Sequence, residues 1–369
     1  MNIIMTGGGT GGHIYPALAI ADKFKAMNPD NNILYIGNEI GIEKNIVGKY
    51  GYELKFVSAR WLLNKGFKEI LLTSLATVKG VTQTLKIMRK FKPDVVIGTG
   101  GFVCVPIVIA GKLYGAKTYI HEQNAYPGKA NKMLERFCDK VFLGFASGKK
   151  YFKEQNKLIE VGNPVRQSFY AETKDAARKA LNLPEHADIV FLFGGSQGSR
   201  RLNEVAIDLV KKINGNEKIV FNFCTGPNYF EEVIDTINLA GIELKDNIHI
   251  LSYIDDMEKY LHSADIVVGR AGALSIAEIA TCGKASIMIP SPNVTANHQF
   301  YNAKAMSDEG AAILIEEKEL TSEVFTDNVL KLCEDKELLR GMTEKAKNIQ
   351  SKNTVDIIYD VVLRDLKLD

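Results

Sequence analysis

The 369-residue sequence contains few cysteines, and their spacing fits neither a metal site nor a disulfide framework. The five are Cys104, Cys138, Cys224, Cys282 and Cys333. Their number is odd, they are scattered, and no Cys-x-x-Cys pair occurs. This pattern argues against a zinc site and against a secreted disulfide scaffold, and it favours a reducing compartment.

The sequence also lacks a charge imbalance and a long apolar run. Lys and Arg number 46 against 44 Asp and Glu, so no global electrostatic field favours nucleic acid as a partner. No apolar run approaches the ~18 residues that would span a bilayer, and no leader peptide precedes the buried strand predicted from residue 2. We therefore expect a cytoplasmic protein that at most binds a membrane surface.

The chain alternates apolar, strand-like segments with helical patterns, in two successive sets. The first set lies at residues 33–36, 54–57, 95–98, 118–121, 140–143 and 158–161. The second set lies at residues 189–193, 219–223, 248–251, 266–268, 286–289 and 312–315. Continuous apolar strands separated by helices are typical of parallel sheets covered on both faces. The predicted fold class is therefore α/β, with two doubly wound, Rossmann-like domains that face each other across a cleft.

The boundary between the two domains is predicted near residues 162–164, where glycine and proline interrupt the first pattern. We expect an N-terminal domain over residues 1–163 and a C-terminal domain over residues 164–349. The last segment, about residues 350–369, has an apolar stripe that must be buried, and we expect it to pack back on the first domain. The stripe consists of Val355, Ile358, Val362 and Leu366.

Each set begins with a strand, a glycine-rich turn and a helix. The first turn follows an apolar segment and contains Gly7, Gly9 and Gly12. Glycine brings backbone N–H groups close to a ligand, and a helix start carries roughly half a positive charge. The turn therefore predicts a phosphate-binding loop, although its spacing also fits the dinucleotide fingerprint and a turn that binds no ligand. The second turn lies at residues 194–199, and a third lies at residues 98–101.

Three polar clusters follow predicted strands, where parallel sheets place their ligand sites. The first is His121, Glu122, Gln123 and Asn124, directly after an apolar strand. The second, residues 270–278, has small residues before a helix that carries Glu278, a carboxylate suited to a ribose diol. The third, residues 297–299, follows a proline-rich loop. Each cluster also has a simpler explanation, as a solvated loop start, a solvated helix carboxylate or a helix cap.

Together these segments resemble the MurG family of bacterial peptidoglycan glycosyltransferases. They occur in the same order as in that family and extend over nearly the whole chain: residues 7–13, 121–124, 162–166, 194–198, 270–278 and 297–299. The resemblance implies the glycosyltransferase B fold and inverting transfer of N-acetylglucosamine from UDP-N-acetylglucosamine to undecaprenyl-diphosphoryl-N-acetylmuramoyl-pentapeptide. It also implies a peripheral enzyme at the cytoplasmic face of the cell membrane, with no cofactor.

The resemblance assigns roles to individual residues. The loop that contacts donor and acceptor phosphates corresponds to Thr10, Gly11 and Gly12. The positions that hold the nucleotide sugar correspond to Asn124, Arg166, Ser196, Ile254 and Gln299, and the ribose-binding position corresponds to Glu278. Many relatives have two glutamines where this chain has His298 and Gln299, so either residue is a candidate for the sugar hydroxyls.

Sugar transfer requires a base for the acceptor hydroxyl and stabilisation of the departing UDP. Many sugar-nucleotide enzymes stabilise the leaving group with a metal held by Asp-x-Asp, a spacing that this sequence lacks. We therefore expect no essential metal, because helix N-termini with Ser196 and Arg166 can hold the diphosphate. For the base, His13 and Glu122 are both candidates, and His13 also has a structural alternative as a residue that shapes the loop.

A membrane contact is predicted in the first domain. Trp61, Leu62, Lys65 and Lys68 interleave apolar and basic side chains, which suits an anionic membrane surface. Three further basic residues could support this contact: Lys129, Lys132 and Arg136. The apolar stripe that follows is predicted to face the core instead, since a helix on a parallel sheet needs one buried face. It consists of Phe67, Leu71, Leu75, Val78 and Leu85.

Three other functions are compatible with parts of the sequence. One is another UDP-sugar-dependent lipid glycosyltransferase of the same fold. A second is a nicotinamide-dependent oxidoreductase, with Glu39 near the end of the second strand as its ribose ligand. This alternative leaves the second glycine turn and Glu278 unexplained. The third is a binding protein without turnover, which the presence of His13, Glu122 and Glu278 disfavours.

Overall fold

The chain forms two compact units, each built on one parallel sheet. In a computed structural model that describes residues 1–61, 66–349 and 353–368, the first unit comprises Met1–Val165 and Lys352–Asp369. The second unit comprises Arg166–Ser351. The chain thus leaves the first unit once and returns to it for the final helix.

The sheet of the first unit has seven parallel strands in the order β3-β2-β1-β4-β5-β6-β7. The strands are β1 (Asn2–Thr6), β2 (Asn32–Gly37), β3 (Glu53–Phe56), β4 (Val95–Gly98), β5 (Lys117–Glu122), β6 (Lys140–Leu143) and β7 (Leu158–Glu160). The order reverses between β1 and β4, so the loops after these two strands lie side by side. Such a switch point is where doubly wound sheets bind ligands.

Helices cover both faces of this sheet. They are α1 (Gly11–Met27), α2 (Glu43–Val47), α3 (Phe67–Phe91), α4 (Cys104–Tyr114) and α5 (Lys129–Leu134). Successive residues of β1 point to opposite faces, so Ile3 and Met5 pack into one apolar cluster and Ile4 into another. The continuous apolar strands predicted from the sequence are therefore explained by two buried faces.

The second unit repeats this plan with six parallel strands in the order β10-β9-β8-β11-β12-β13. The strands are β8 (Asp188–Phe193), β9 (Ile219–Cys224), β10 (Ile248–Leu251), β11 (Ile266–Gly269), β12 (Ala285–Met288) and β13 (Ala312–Leu314). The helices are α6 (Ser168–Ala171), α7 (Lys174–Ala180), α8 (Arg200–Ile213), α9 (Phe230–Leu239), α10 (Met257–Ser263), α11 (Ala273–Thr281), α12 (His298–Asp308), α13 (Ser322–Glu334) and α14 (Lys336–Ile349). Its switch point lies between β8 and β11. The predicted pair of doubly wound parallel sheets is confirmed.

The last helix, α15 (Thr354–Leu366), packs on the first unit against α1. Val355, Ile358 and Val362 are buried in the same apolar cluster as Phe24. Polar contacts hold both ends of the helix, since Thr354 Oγ1 donates to the carbonyl of Val161 at 2.7 Å. At the other end Asp365 accepts hydrogen bonds from Tyr119 Oη at 3.0 Å and Lys140 Nζ at 2.7 Å. The helix is thereby tied to β5 and β6.

The apolar stripe at the start of α3 does not face the core, and this prediction was wrong. Phe67, Leu71, Leu75 and Val78 are exposed, whereas Leu85 packs against the core beside buried Met88. A helix of 25 residues is roughly 37 Å long. A four-residue strand such as β4 spans only about 13 Å, so the sheet covers one part of the helix.

No helix among the described residues is long and apolar enough to cross a membrane.

Replacing Asp365 by alanine tests the anchoring of the last helix. We expect Asp365→Ala to lower the free energy of unfolding by about 1.5–3 kcal/mol, because hydrogen bonds to a charged group are lost while Tyr119 stays buried. Denaturant titration measures the change. The matched control is Asp360→Ala, an exposed aspartate on the same helix. Equal stability of the two variants would contradict the anchoring role of Asp365.

Candidate active site

Two glycine turns lie side by side at the switch point of the first sheet. The turn after β1 leads into α1, and the turn after β4 packs on it backbone to backbone. Gly8 N donates to the carbonyl of Gly100 at 3.2 Å. Gly101 has φ +87°, and a Cβ there would lie 2.3 Å from the oxygen of Gly8. The third glycine turn of the sequence is therefore a support for the first.

The start of α1 offers backbone donors to a ligand. Thr10 and Gly12 are exposed and Gly11 is half-buried, and the Thr10 side chain forms no cap on the helix. The first amides of an α-helix have no acceptor within the helix. The structure thus places these three residues where an anion can reach unpaired N–H groups.

His13 is half-buried beside both turns. Its Nδ1 lies 2.9 Å from the carbonyl oxygen of Gly8, which can only accept, so Nδ1 carries the proton. In the neutral ring Nε2 then holds the lone pair. Gly100, at φ +114°, makes room for the imidazole, since a Cβ there would lie 2.7 Å from His13 Cδ2. The two turns therefore set both the tautomer and the position of this ring.

Of the four polar residues at the end of β5, His121 and Gln123 form one set of contacts, and Glu122 and Asn124 form another. His121 is fully buried, with Nε2 2.9 Å from the carbonyl of Gly162 and Nδ1 2.9 Å from Gln123 Nε2. Desolvation lowers the pKa of His121 to about 4, so this ring stays neutral at physiological pH. Gln123 also donates to the carbonyl of Thr99 at 2.6 Å. These two side chains connect β5 to the glycine turns.

Glu122 organises the loop that follows β5. The residue is 2% exposed, and its carboxylate accepts from the backbone and side-chain nitrogens of Asn124 at 2.9 and 3.2 Å. It also accepts from Gly128 N at 3.0 Å and Asn131 Nδ2 at 2.8 Å. Both oxygens are therefore engaged within residues 122–131. Asn124 is half-buried at the rim of this loop.

A second glycine turn occupies the corresponding place in the second unit, between β8 and α8. Ser196 is exposed at its tip. Gly198 has φ +76°, and a Cβ there would lie 2.1 Å from the carbonyl oxygen of Thr225. The turn thus lies against the end of β9, with the first turn of α8 behind it.

Arg270, at the end of β11, connects the loops of the second unit, a role that the sequence analysis did not assign. Its Nη2 donates to Ser199 Oγ at 2.6 Å, and its Nη1 donates to the carbonyl of Ile289 at 3.2 Å. The guanidinium also pairs with Glu317. The side chain is 13% exposed, so most of its donors are already used. An arginine directly after a buried strand at a switch point is the sequence signal that could have indicated this role.

Glu278, Arg166 and Glu258 form a charged group beside α11. Glu278 is half-buried, and desolvation raises its pKa to about 7, with Arg166 lowering it and Glu258 raising it further. Arg166 Nη2 lies 3.5 Å from Glu258 Oε2. Arg166 is therefore paired with Glu258 and also stabilises the charge of Glu278 electrostatically. Glu258 was not predicted, because nothing local in the sequence links α10 to residue 166.

The remaining predicted residues of the second unit lie at the ends of β10 and β12. Ile254 is 8% exposed after β10. Gln299 Oε1 accepts from Ser291 N at 2.9 Å, and His298 Nδ1 lies 2.7 Å from the carbonyl of Thr295. The amide nitrogen of Gln299 is thus oriented away from Ser291. Ile254 and Ser196 belong to loops that follow strands of the second sheet, and His298 and Gln299 begin α12 after such a loop.

Of the predicted membrane residues, Trp61 and Lys68 are exposed, and Trp61 contacts Phe102 edge to face at 6.0 Å. Leu62 and Lys65 lie outside the described residues. Lys132 is half-buried over the ring of Tyr126, at 4.4 Å.

Within the described part of the chain, no group of three or more His, Cys, Asp or Glu side chains is arranged to hold a metal ion.

Comparison with known proteins identifies the family. Residues 3–143 match the glycosyltransferase family 28 N-terminal domain, and residues 189–358 match the glycosyltransferase family 28 C-terminal domain. A relative from Clostridioides difficile, named UDP-N-acetylglucosamine--N-acetylmuramyl-(pentapeptide) pyrophosphoryl-undecaprenol N-acetylglucosamine transferase, is 42% identical over 99% of this chain and 89% of its own length. A relative of the same name from Caldicellulosiruptor saccharolyticus is 42% identical over 95% of this chain and 94% of its own. The crystal structure of MurG from Acinetobacter baumannii is 26% identical, with a TM-score of 0.79 over 98% of this chain and 99% of that one. The chain belongs to the MurG family.

Membership of the MurG family confirms the resemblance deduced from the sequence and the glycosyltransferase class of the enzyme. The two parallel sheets are those of the glycosyltransferase B fold, which the solved MurG structure shares. In this chain each of the two family 28 domains has a glycine turn between the first strand of its sheet and the following helix. The oxidoreductase and the binding protein without turnover are therefore no longer alternatives.

Replacing Gly100 by alanine tests the support of His13. We expect Gly100→Ala to displace the imidazole, because the new methyl group overlaps the ring. NMR signals of the His13 ring measure the displacement. Gly115→Ala is the matched control, since Gly115 has φ +95° and open space around it. Both variants carry a backbone penalty of about 1–2 kcal/mol, but only the first should shift the His13 signals. Unchanged signals in Gly100→Ala would contradict the contact.

Proposed function

We propose that the protein transfers N-acetylglucosamine from UDP-N-acetylglucosamine to undecaprenyl-diphosphoryl-N-acetylmuramoyl-pentapeptide, the step from lipid I to lipid II in peptidoglycan synthesis. The observation that carries this proposal is the similarity, over nearly the full length of both chains, to relatives named for this reaction. The glycine turns at both switch points support it, because donor and acceptor are both diphosphates.

The second unit binds the donor in this proposal. Ser196 and Arg166 present a hydroxyl and a half-exposed guanidinium for the diphosphate, and the half-buried carboxylate of Glu278 accepts from the ribose hydroxyls. Ile254 provides an apolar contact for the uracil base of the nucleotide. Of the two candidates for the sugar hydroxyls we favour Gln299, because Ser291 N fixes its oxygen and leaves its NH₂ group to donate.

The first unit binds the acceptor, and its diphosphate meets the amides at Thr10, Gly11 and Gly12. We assign the base to His13 rather than to Glu122. The acceptor hydroxyl loses its proton to His13 Nε2 as its oxygen attacks the anomeric carbon. The bond from that carbon to UDP breaks, and its electron pair leaves with the diphosphate. Glu122 and Asn124 shape the adjacent loop, because all four donors to the carboxylate come from this loop and α5.

Transfer of radiolabelled N-acetylglucosamine from UDP-N-acetylglucosamine to a lipid-diphosphate acceptor tests the function and the base together. We expect transfer by the wild-type protein in excess chelator, since helix N-termini and arginine replace a metal in this proposal. His13→Gln should lower kcat by roughly 10²- to 10⁴-fold, the usual contribution of a general base. It should also remove the low-pH limb of the kcat profile.

Glu122→Gln distinguishes the two candidate bases. This variant replaces one carboxylate oxygen, which accepts from two donors, by an NH₂ group, so it should lower stability and leave the low-pH limb of kcat in place. If Glu122→Gln removes that limb and His13→Gln keeps it, the assignment is reversed. Absence of transfer by the wild-type protein with any lipid-diphosphate acceptor would contradict the function itself.

The N-terminal half of α3 is the proposed membrane contact, at the cytoplasmic face of the cell membrane. Phe67, Leu71, Leu75 and Val78 are 84%, 49%, 58% and 62% exposed, respectively. Lys68 and Lys79 are exposed on the same helix, and each basic residue near an anionic leaflet contributes about 1 kcal/mol. An exposed apolar row with flanking lysines suits the headgroup region. Exposed Trp61, with Leu62 and Lys65, directly precedes this helix in the chain.

Serine substitutions on α3 test this contact. Each apolar side chain contributes about 1.5–3 kcal/mol when fully buried. The triple variant of Leu71, Leu75 and Val78 to serine should therefore bind phosphatidylglycerol vesicles at least roughly tenfold more weakly. Transfer to a long-chain acceptor should slow, while transfer to a soluble short-chain acceptor should persist. Leu239→Ser, which changes an 89% exposed leucine of the second unit, is the control. Equal loss with both acceptors would argue against a membrane role.

A further inference from the structure

A second carboxylate lies beside the donor-binding residues of the second unit. Glu258 belongs to α10, and its Oε2 lies 3.5 Å from Arg166 Nη2. The Glu258 side chain is 17% exposed, whereas that of Arg166 is 50% exposed. The ion pair therefore joins a largely buried anion to a cation that solvent reaches from one side.

The contacts of Arg166 are weak enough to be exchanged. Its guanidinium lies over the ring of Phe169, 5.1 Å from the centroid, and its distance to Glu258 exceeds that of a good charged hydrogen bond. Oε2 of Glu258 has no hydrogen-bond donor among the residues that the structure describes. Arg270, by contrast, uses its guanidinium on Ser199, Ile289 and Glu317. Arg166 thus retains donors for a ligand, whereas most of those of Arg270 are used.

The nucleotide-sugar substrate would bring further negative charge to the same place. Glu278 already interacts unfavourably with Glu258 and favourably with Arg166, as the opposite effects of these residues on its pKa show. A diphosphate next to Arg166 competes with Glu258 for one guanidinium. In the absence of nucleotide, the carboxylate of Glu258 is the anion that pairs with Arg166.

We propose that Glu258 is a positioning residue that holds Arg166 in the nucleotide-free protein and lowers donor affinity by competing for its guanidinium. This inference rests on the proposed binding of the nucleotide diphosphate by Arg166. Its physical basis is exchange: each donor molecule that binds must first replace an existing ion pair, and the cost of that replacement reduces the observed affinity.

Glu258→Gln tests the proposal, because it removes the charge and keeps the shape of the side chain. Titration calorimetry with UDP should show binding tighter by roughly two- to fivefold, the range expected for a partly exposed ion pair. The KM for UDP-N-acetylglucosamine should fall by a similar factor while kcat changes little. Glu243→Gln, which breaks the exposed pair with Lys245, is the matched control and should leave UDP affinity unchanged. Unchanged or weaker UDP binding by Glu258→Gln would overturn the proposal.

A double-mutant cycle shows whether Glu258 acts through Arg166. In the Arg166→Gln background, Glu258→Gln should no longer tighten UDP binding. An equal gain in both backgrounds would mean that Glu258 acts by its field alone, and would also overturn the proposal. The cycle separates this inference from the proposed function. If Arg166→Gln leaves UDP affinity unchanged, the diphosphate assignment fails, whereas a loss in Arg166→Gln with no gain in Glu258→Gln refutes only the role of Glu258.

Discussion

The close approach of two backbone turns at the first switch point is the constraint on which the candidate site of the first unit depends. A Cβ at Gly7 would lie 2.1 Å from Thr99 Oγ1, and the same hydroxyl donates to the carbonyl of His13 at 2.6 Å. Only glycine permits this distance. Once the turns are in contact, they fix the start of α1 and hold the imidazole of His13 between Gly8 and Gly100.

From these turns a buried polar network extends across the first unit. Thr99 accepts from Gln123, and the carbonyl of Gln123 accepts from Asn163 Nδ2 at 3.0 Å. His121 is held neutral in the same network by its burial. Buried polar groups are costly unless they are hydrogen-bonded, so these bonds favour one arrangement of the side chains. The network therefore links the glycine turns to Asn163 at the end of the first unit's main segment.

In the second unit, two arginines at the carboxyl edge of the sheet differ in their surroundings. Arg270 is largely buried and bonded to three loops, so it shapes the edge. Arg166 is half exposed and weakly paired, so it keeps the capacity to bind an anion. Planar guanidinium groups serve both purposes, since they offer several donors in a fixed geometry. Residue type alone does not distinguish the two roles.

The sequence by itself determined the two parallel sheets, the glycine turns after their first strands and the family, because apolar periodicity and turn residues are local properties of the chain. It did not determine which part of α3 is covered along its length, since that depends on how far the rest of the first unit extends beneath a 25-residue helix. Nor did it show how the surroundings of His13 and Glu122 differ, since His13 contacts the carbonyl of Gly8 whereas Glu122 accepts from Gly128 and Asn131. The tertiary structure alone brought Glu258 to Arg166, 92 positions apart in the numbering. Contacts between residues so distant in sequence arise only when the strands between them have assembled, and no local pattern records them.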